Sequence, residues 1–137
     1  MTLFLDTNVL LDVLAQRAPW VTDAAALLSL VDTGQVEGVV AAHAVTTLHY
    51  FLRKHLGREK ASATLVELVD LVTIATVDES VIQKGLGFGW QDFEDAIQAV
   101  CALQAGVDYF VTRNRQDFSA LSIPVVTPSE VLNYLHQ

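Results

Sequence analysis

Short apolar runs alternate with longer segments of helical periodicity along this chain, and that alternation limits the folds open to it. Residues 3–5, 39–42, 72–77, 109–112 and 125–126 read as strands, because each is a brief apolar or β-branched run bounded by polar residues or turn formers. Between them, apolar residues recur at helical spacing. Such segments cover residues 9–15, a helix opened by Thr22 or Asp23 and closed by Gly34, residues 44–56, residues 58–71, a short helix capped by Asp78, residues 92–105 and residues 128–135. Strands separated by helices need crossover connections. The expected fold is therefore α/β, with a small, mostly parallel sheet of four to five short strands and helices on both faces.

At 137 residues, with no internal repeat, low-complexity tract or linker, the chain is expected to form a single domain over 1–137. No apolar run approaches the length of a membrane span, and no secretory signal pattern is visible at the N-terminus. Cys101 is the only cysteine, which excludes an internal disulfide and a thiolate zinc cluster; a reducing cytoplasmic setting fits best. The formal charge of −8 argues against a generic phosphate-binding surface. Four of the eight Lys and Arg residues nevertheless fall together as Arg53, Lys54, Arg58 and Lys60. They could meet a phosphate backbone or simply solvate a turn between helices.

Three segments carry chemistry. Asp6 follows the first strand and precedes a helix, a position that in an open parallel sheet faces the ligand crevice. It could equally cap that helix, as could Thr7 and Asn8. Asp92 and Asp95 stand three apart in the first turn of their helix, sharing a face and favoured by the helix dipole; capping again explains them as well. The run from Val111 to Phe118 offers Thr112, Asn114 and Asp117 at the exit of another strand, where a plain loop is the alternative.

The three gain force together, because all exits of a parallel sheet open on one edge. Carboxylates gathered there repel one another and raise each other's pKa unless a cation neutralises them. Oxygen ligands suit Mg²⁺ or Mn²⁺, and ions so held can activate water against a phosphodiester. Other signals carry less. Gly85, Gly87 and Gly89 end a helix and do not follow a strand, so they form no dinucleotide loop. His43, His49 and His55 are spread around one helix and are expected to be structural. The opening resembles a haloacid-dehalogenase-type phosphatase, but Asn8 stands where the second Asp is needed.

The motifs Phe4-Leu5-Asp6-Thr7-Asn8, Asp92-Phe93-Glu94-Asp95-Ala96 and Val111 to Phe118 resemble, in order and spacing, those of the PIN-domain family, and within it VapC-type toxins of toxin–antitoxin pairs. The resemblance implies a three-layer α/β/α sandwich, a Mg²⁺- or Mn²⁺-dependent endoribonuclease, an RNA substrate, a small antitoxin partner and a homodimer. Asp6 matches the first acidic ligand and Asp95 the later one. Asp92 is an additional acid, Asn114 falls at a position often Asp or Asn, and Asp117 sits close by. Asp6, Asp92, Asp95 and Asp117 are thus the catalytic candidates, and Asp6, Asp92, Asp95 and Asn114 the metal candidates. Thr7, Asn8, Thr47, Thr112 and Arg113 are candidates for substrate or supporting contacts. The chain departs from the family where a Glu usually follows the second strand: Thr47 stands there, a hydroxyl that can bond metal-bound water but brings no charge, and Asp92 is the candidate to compensate. A non-catalytic module binding RNA or protein, and a small-molecule phosphohydrolase, are the alternative functions.

Overall fold

A computed structural model describes residues 1–136. Among these residues five strands form one sheet: β1 (Thr2–Leu5), β2 (Glu37–Ala41), β3 (Thr73–Ala75), β4 (Tyr109–Val111) and β5 (Val125–Val126). Their order is β3-β2-β1-β4-β5 and every pairing is parallel. Among the described residues six helices lie between the strands, α1 (Thr7–Leu14), α2 (Val21–Asp32), α3 (Ala42–Leu56), α4 (Arg58–Leu71), α5 (Glu79–Gly87) and α6 (Phe93–Ala105), and a seventh, α7 (Pro128–Leu135), follows β5. No helix among the described residues is long and apolar enough to cross a membrane.

Alternate strand residues feed two cores, as the two-residue period of a strand dictates. Leu3, Leu5, Val40, Val111 and Val126 pack on one face with α1, α2, α3, α4 and α7. Phe4, Val39, Ala41 and Phe110 pack on the other with α5 and α6. Both faces are covered, so the central strands are apolar throughout and the three-layer sandwich follows.

The strand expected over residues 72–77 contracts to Thr73–Ala75. It lies at the sheet edge, paired only with β2, so fewer of its residues are held in a ladder. Residues 115–118, expected as loop, form a turn of 3-10 helix over Arg115–Phe118. Phe118 anchors it, its ring centroid 4.3 Å from that of Phe110, which in turn stacks on Phe4 at 5.0 Å.

The chain reverses its winding between β1 and β4. Strands β2 and β3 are added on one side of β1, and β4 and β5 on the other. The loops leaving β1 and β4 diverge there and open a crevice. One edge of it is braced by an aspartate that sequence patterning did not single out. Asp12 of α1 is 1% exposed. Its Oδ1 accepts from Arg17 Nε at 2.9 Å, and its Oδ2 from Arg113 Nε at 2.9 Å. The Arg113 guanidinium also lies 3.9 Å over the Trp20 ring. Asp12→Ala strands two guanidinium groups without their carboxylate and should lower unfolding stability by about 3 kcal/mol. Urea unfolding checks this; a loss indistinguishable from zero would show that the cluster does not brace the loop.

Candidate active site

Two strand ends and one helix start meet at the crevice. Asp6 directly follows β1, and its backbone N–H donates to the Val111 carbonyl of β4 at 3.0 Å. Thr112 directly follows β4, and its N–H donates to Val126 at 2.9 Å. Helix α6 runs back towards β4, so its first turn stands on the same rim.

Asp6 occupies the N-cap position of α1 but makes no side-chain capping bond, which corrects the capping alternative for this residue. Its carboxylate is 2% exposed and turns inward. Thr112 Oγ1 donates to Oδ2 at 2.7 Å, and Gln98 Nε2 donates to Oδ1 at 3.0 Å. Burial raises the Asp6 pKa. The two side-chain hydrogen bonds, the nearby Asn8 amide and the Arg113 charge pull it back in part. The Asn8 amide favours the ionised form without closing a bond of capping geometry.

Gln98 ties this network together. Its Oε1 accepts from the Thr7 backbone N–H at 3.1 Å and the Thr7 hydroxyl at 3.2 Å, while its amide nitrogen serves Asp6. It therefore fixes the first turn of α1 and the Asp6 rotamer from one point on α6. Thr112 does the same from β4, since its hydroxyl also accepts from the Asn114 N–H at 3.0 Å.

Asp95, half buried in the first turn of α6, carries the clearest electrostatic signature. Its pKa is pushed up to about 7, first by burial and then by the charges of Asp92, Asp6, Asp117 and Glu94. Asp92 does cap α6, accepting from the Asp95 N–H at 3.1 Å, so for this residue the capping reading holds. Asp92, Asp95 and Asp117 line an open pocket of about 800 Å³ beside Trp90 and Ser119.

The remaining expected residues divide. Thr7, Asn8 and Thr112 belong to the ring around Asp6, with Asn8 half-buried in α1. Asn114 is exposed and leads into the 3-10 turn that carries Asp117. Arg113 spends its guanidinium on Asp12 and Trp20, leaving its charge to act on Asp6 from nearby. Thr47 donates its hydroxyl to the His43 carbonyl at 3.3 Å, one turn earlier in α3. His43, expected to be structural, is half-buried beside Glu94; burial lowers its pKa and the Glu94 charge partly offsets that.

Among the described residues, no three His, Cys, Asp or Glu side chains stand close enough together to hold an ion as placed. The chemistry of the donors nevertheless fits a hard divalent cation. They are oxygen donors only, and the Asp95 pKa is pushed up to about 7 by burial and then by neighbouring negative charge, a crowding that a cation would relieve.

Residues 2–116 match a family model described as PIN domain. No curated protein matches the chain. Several solved structures share its fold. VapBC-1 of nontypeable Haemophilus influenzae aligns with a TM-score of 0.70 and 14% identity, covering 94% of this chain and 99% of that one. The sarcin-ricin-loop-cleaving toxin VapC20 of Mycobacterium tuberculosis aligns at 0.69 and 16%, covering 88% and 95%. A toxin–antitoxin complex from Klebsiella pneumoniae aligns at 0.68 and 19%, covering 93% and 98%.

Proposed function

The chain belongs to the PIN-domain family, and on that premise we propose that it is a metal-dependent endoribonuclease acting as the toxin of a toxin–antitoxin pair. The observation that carries this reading is the convergence at one rim of Asp6, buried and held by two donors, with Asp95, crowded by further carboxylates. VapC20 of the same fold is described as cleaving the sarcin-ricin loop. The Haemophilus VapBC-1 and Klebsiella structures, described as toxin–antitoxin assemblies, support a small antitoxin as partner. A homodimer in the cytoplasm, as the resemblance implies, completes the proposal.

Asp6 and Asp95 would hold Mg²⁺ or Mn²⁺, with Asp92 and Asn114 completing the ligand set. When bound, such an ion polarises the phosphoryl group and lowers the pKa of water. The chain's own residues do the rest. Gln98 and Thr112 would keep Asp6 in one rotamer and favour its ionised form against the effect of burial. Asp117, exposed at the pocket wall, would orient water and accept its proton. Thr7, Asn8 and Thr112 would bond to phosphate or to the groups around the ion, while Arg113, engaged by Asp12 and Trp20, would act through its charge.

A second reading is favoured by one observation. Thr47 brings no charge and spends its hydroxyl within α3, so a non-catalytic RNA- or protein-binding module is the alternative. RNA cleavage decides. Purified protein should cut single-stranded RNA with Mn²⁺ or Mg²⁺ and stop in EDTA, and calorimetry should register Mn²⁺ binding. Mn²⁺ binding without cleavage of any RNA would favour the module. Turnover of a chromogenic phosphate ester with indifference to RNA would instead indicate a phosphohydrolase.

A further inference from the structure

This acidic chain gathers half its Lys and Arg residues at one tip. Arg53 and Lys54 close α3, Arg58 and Lys60 open α4, and Gly57 between them adopts φ 81°, a backbone that turns the chain sharply. All four cations are exposed. The ion pairs among the described residues engage Arg17, Arg113 and Arg115, so none of the four is neutralised by a carboxylate. Glu59 is the one acid in that first turn of α4.

Two further features distinguish this tip from an ordinary solvated turn. Cations in the first turn of a helix are opposed by its dipole, yet α4 places Arg58 and Lys60 there. No side chain caps that turn, so its leading N–H groups remain open beside the four positive charges. Aromatic surface adjoins them. Tyr50 is 48% exposed and Phe51 40%, with ring centroids 5.5 Å apart, and Lys54 Nζ sits 2.7 Å from the Tyr50 hydroxyl. Cations without a carboxylate partner, open helical N–H groups and exposed rings together match single-stranded nucleic acid, which offers phosphates and stacking faces at once.

We propose that the α3–α4 hairpin binds the phosphate backbone of single-stranded RNA and so anchors substrate outside the acidic pocket. This rests on the endoribonuclease reading and names the surface that offsets the repulsion between RNA and a chain of charge −8. Helix α3 begins directly after β2 and runs about 20 Å to the hairpin. Only an RNA several nucleotides long can touch both places.

The test replaces Arg53, Lys54, Arg58 and Lys60 together with glutamine and follows a long fluorescein-labelled RNA by anisotropy in EDTA, where nothing is cut. Affinity should fall about tenfold or more. The slope of log affinity against log salt should become shallower by about 3, the share of roughly four single-strand phosphate contacts. With Mn²⁺, kcat/KM should drop on the long RNA and stay unchanged on a trinucleotide, with thermal stability preserved because all four side chains are exposed. Wild-type protein that binds RNA no better than the variant would overturn the hairpin site while leaving the nuclease reading intact. Wild-type protein that neither binds nor cuts RNA would overturn both.

Discussion

Asp6→Asn should reduce RNA cleavage by at least about 10³-fold, the scale of loss when one charge-stabilising group leaves an active site. It should also remove the heat of Mn²⁺ binding. The substitution keeps the size of the side chain and one carbonyl oxygen to accept from Gln98, while Thr112 Oγ1 has a lone pair to receive the new amide hydrogen. What disappears is the charge. In metal-free protein that charge is a burden, since burial is the largest influence on its pKa and acts to disfavour ionisation. The melting temperature of the metal-free variant should therefore equal or exceed that of the wild type. This pairing of lost function with retained stability separates a ligand from a structural aspartate, whose loss would unfold the crevice. An Asp6→Asn protein that cuts RNA at the wild-type rate, or binds Mn²⁺ unchanged, would refute the proposed site.

Asp6 was visible in the sequence because of where it stands. A three-residue apolar run that stops at a carboxylate and restarts as a helix has few interpretations, and the fold places it at the crevice. The α/β class was equally legible, since periodicity switches cleanly at each boundary. Strand order was not. The adjacency of β1 and β4 is a contact between residues more than 100 positions apart, and no local pattern reports it.

Gln98 was missed for a related reason. Glutamine on a helix is by default a solvated residue. The available signal was its company: Ala96, Ile97, Ala99, Val100, Cys101 and Ala102 are all buried around it. A lone polar residue inside an unbroken apolar run must find an internal partner. Asp12, set among Leu10, Leu11, Val13 and Leu14, carried the same signal. The basic tip was legible as a cluster, but its freedom from carboxylates became visible only in three dimensions.

Asp95 gives the metal-free protein an unusual pH dependence. Its pKa is pushed up to about 7 in the folded chain, against an ordinary value of 3.8. Between those two pH values the folded state retains a proton that the unfolded state has released. The unfolded state then binds fewer protons, so stability falls as pH rises through this window and levels off above it. Asp6, also raised, adds in the same direction. Because Asp95 is only half buried, solvent screens much of the shift, and the loss attributable to it should be about 1–2 kcal/mol between roughly pH 4 and pH 7. Asp95→Asn should flatten that part of the curve and leave the variant more stable than wild type at pH 8. Mn²⁺ should reverse the wild-type loss, increasingly so as pH rises, because the ion and the proton compete for the same carboxylate. Thermal melts from pH 4 to pH 8, with EDTA and with Mn²⁺, make the comparison. If wild type and Asp95→Asn trace parallel curves in EDTA, the crowding of carboxylates around Asp95 does not exist in solution. The same melts read the metal independently of cleavage, since an ion that stabilises wild type and ignores Asp95→Asn is bound at this rim whether or not RNA is cut there.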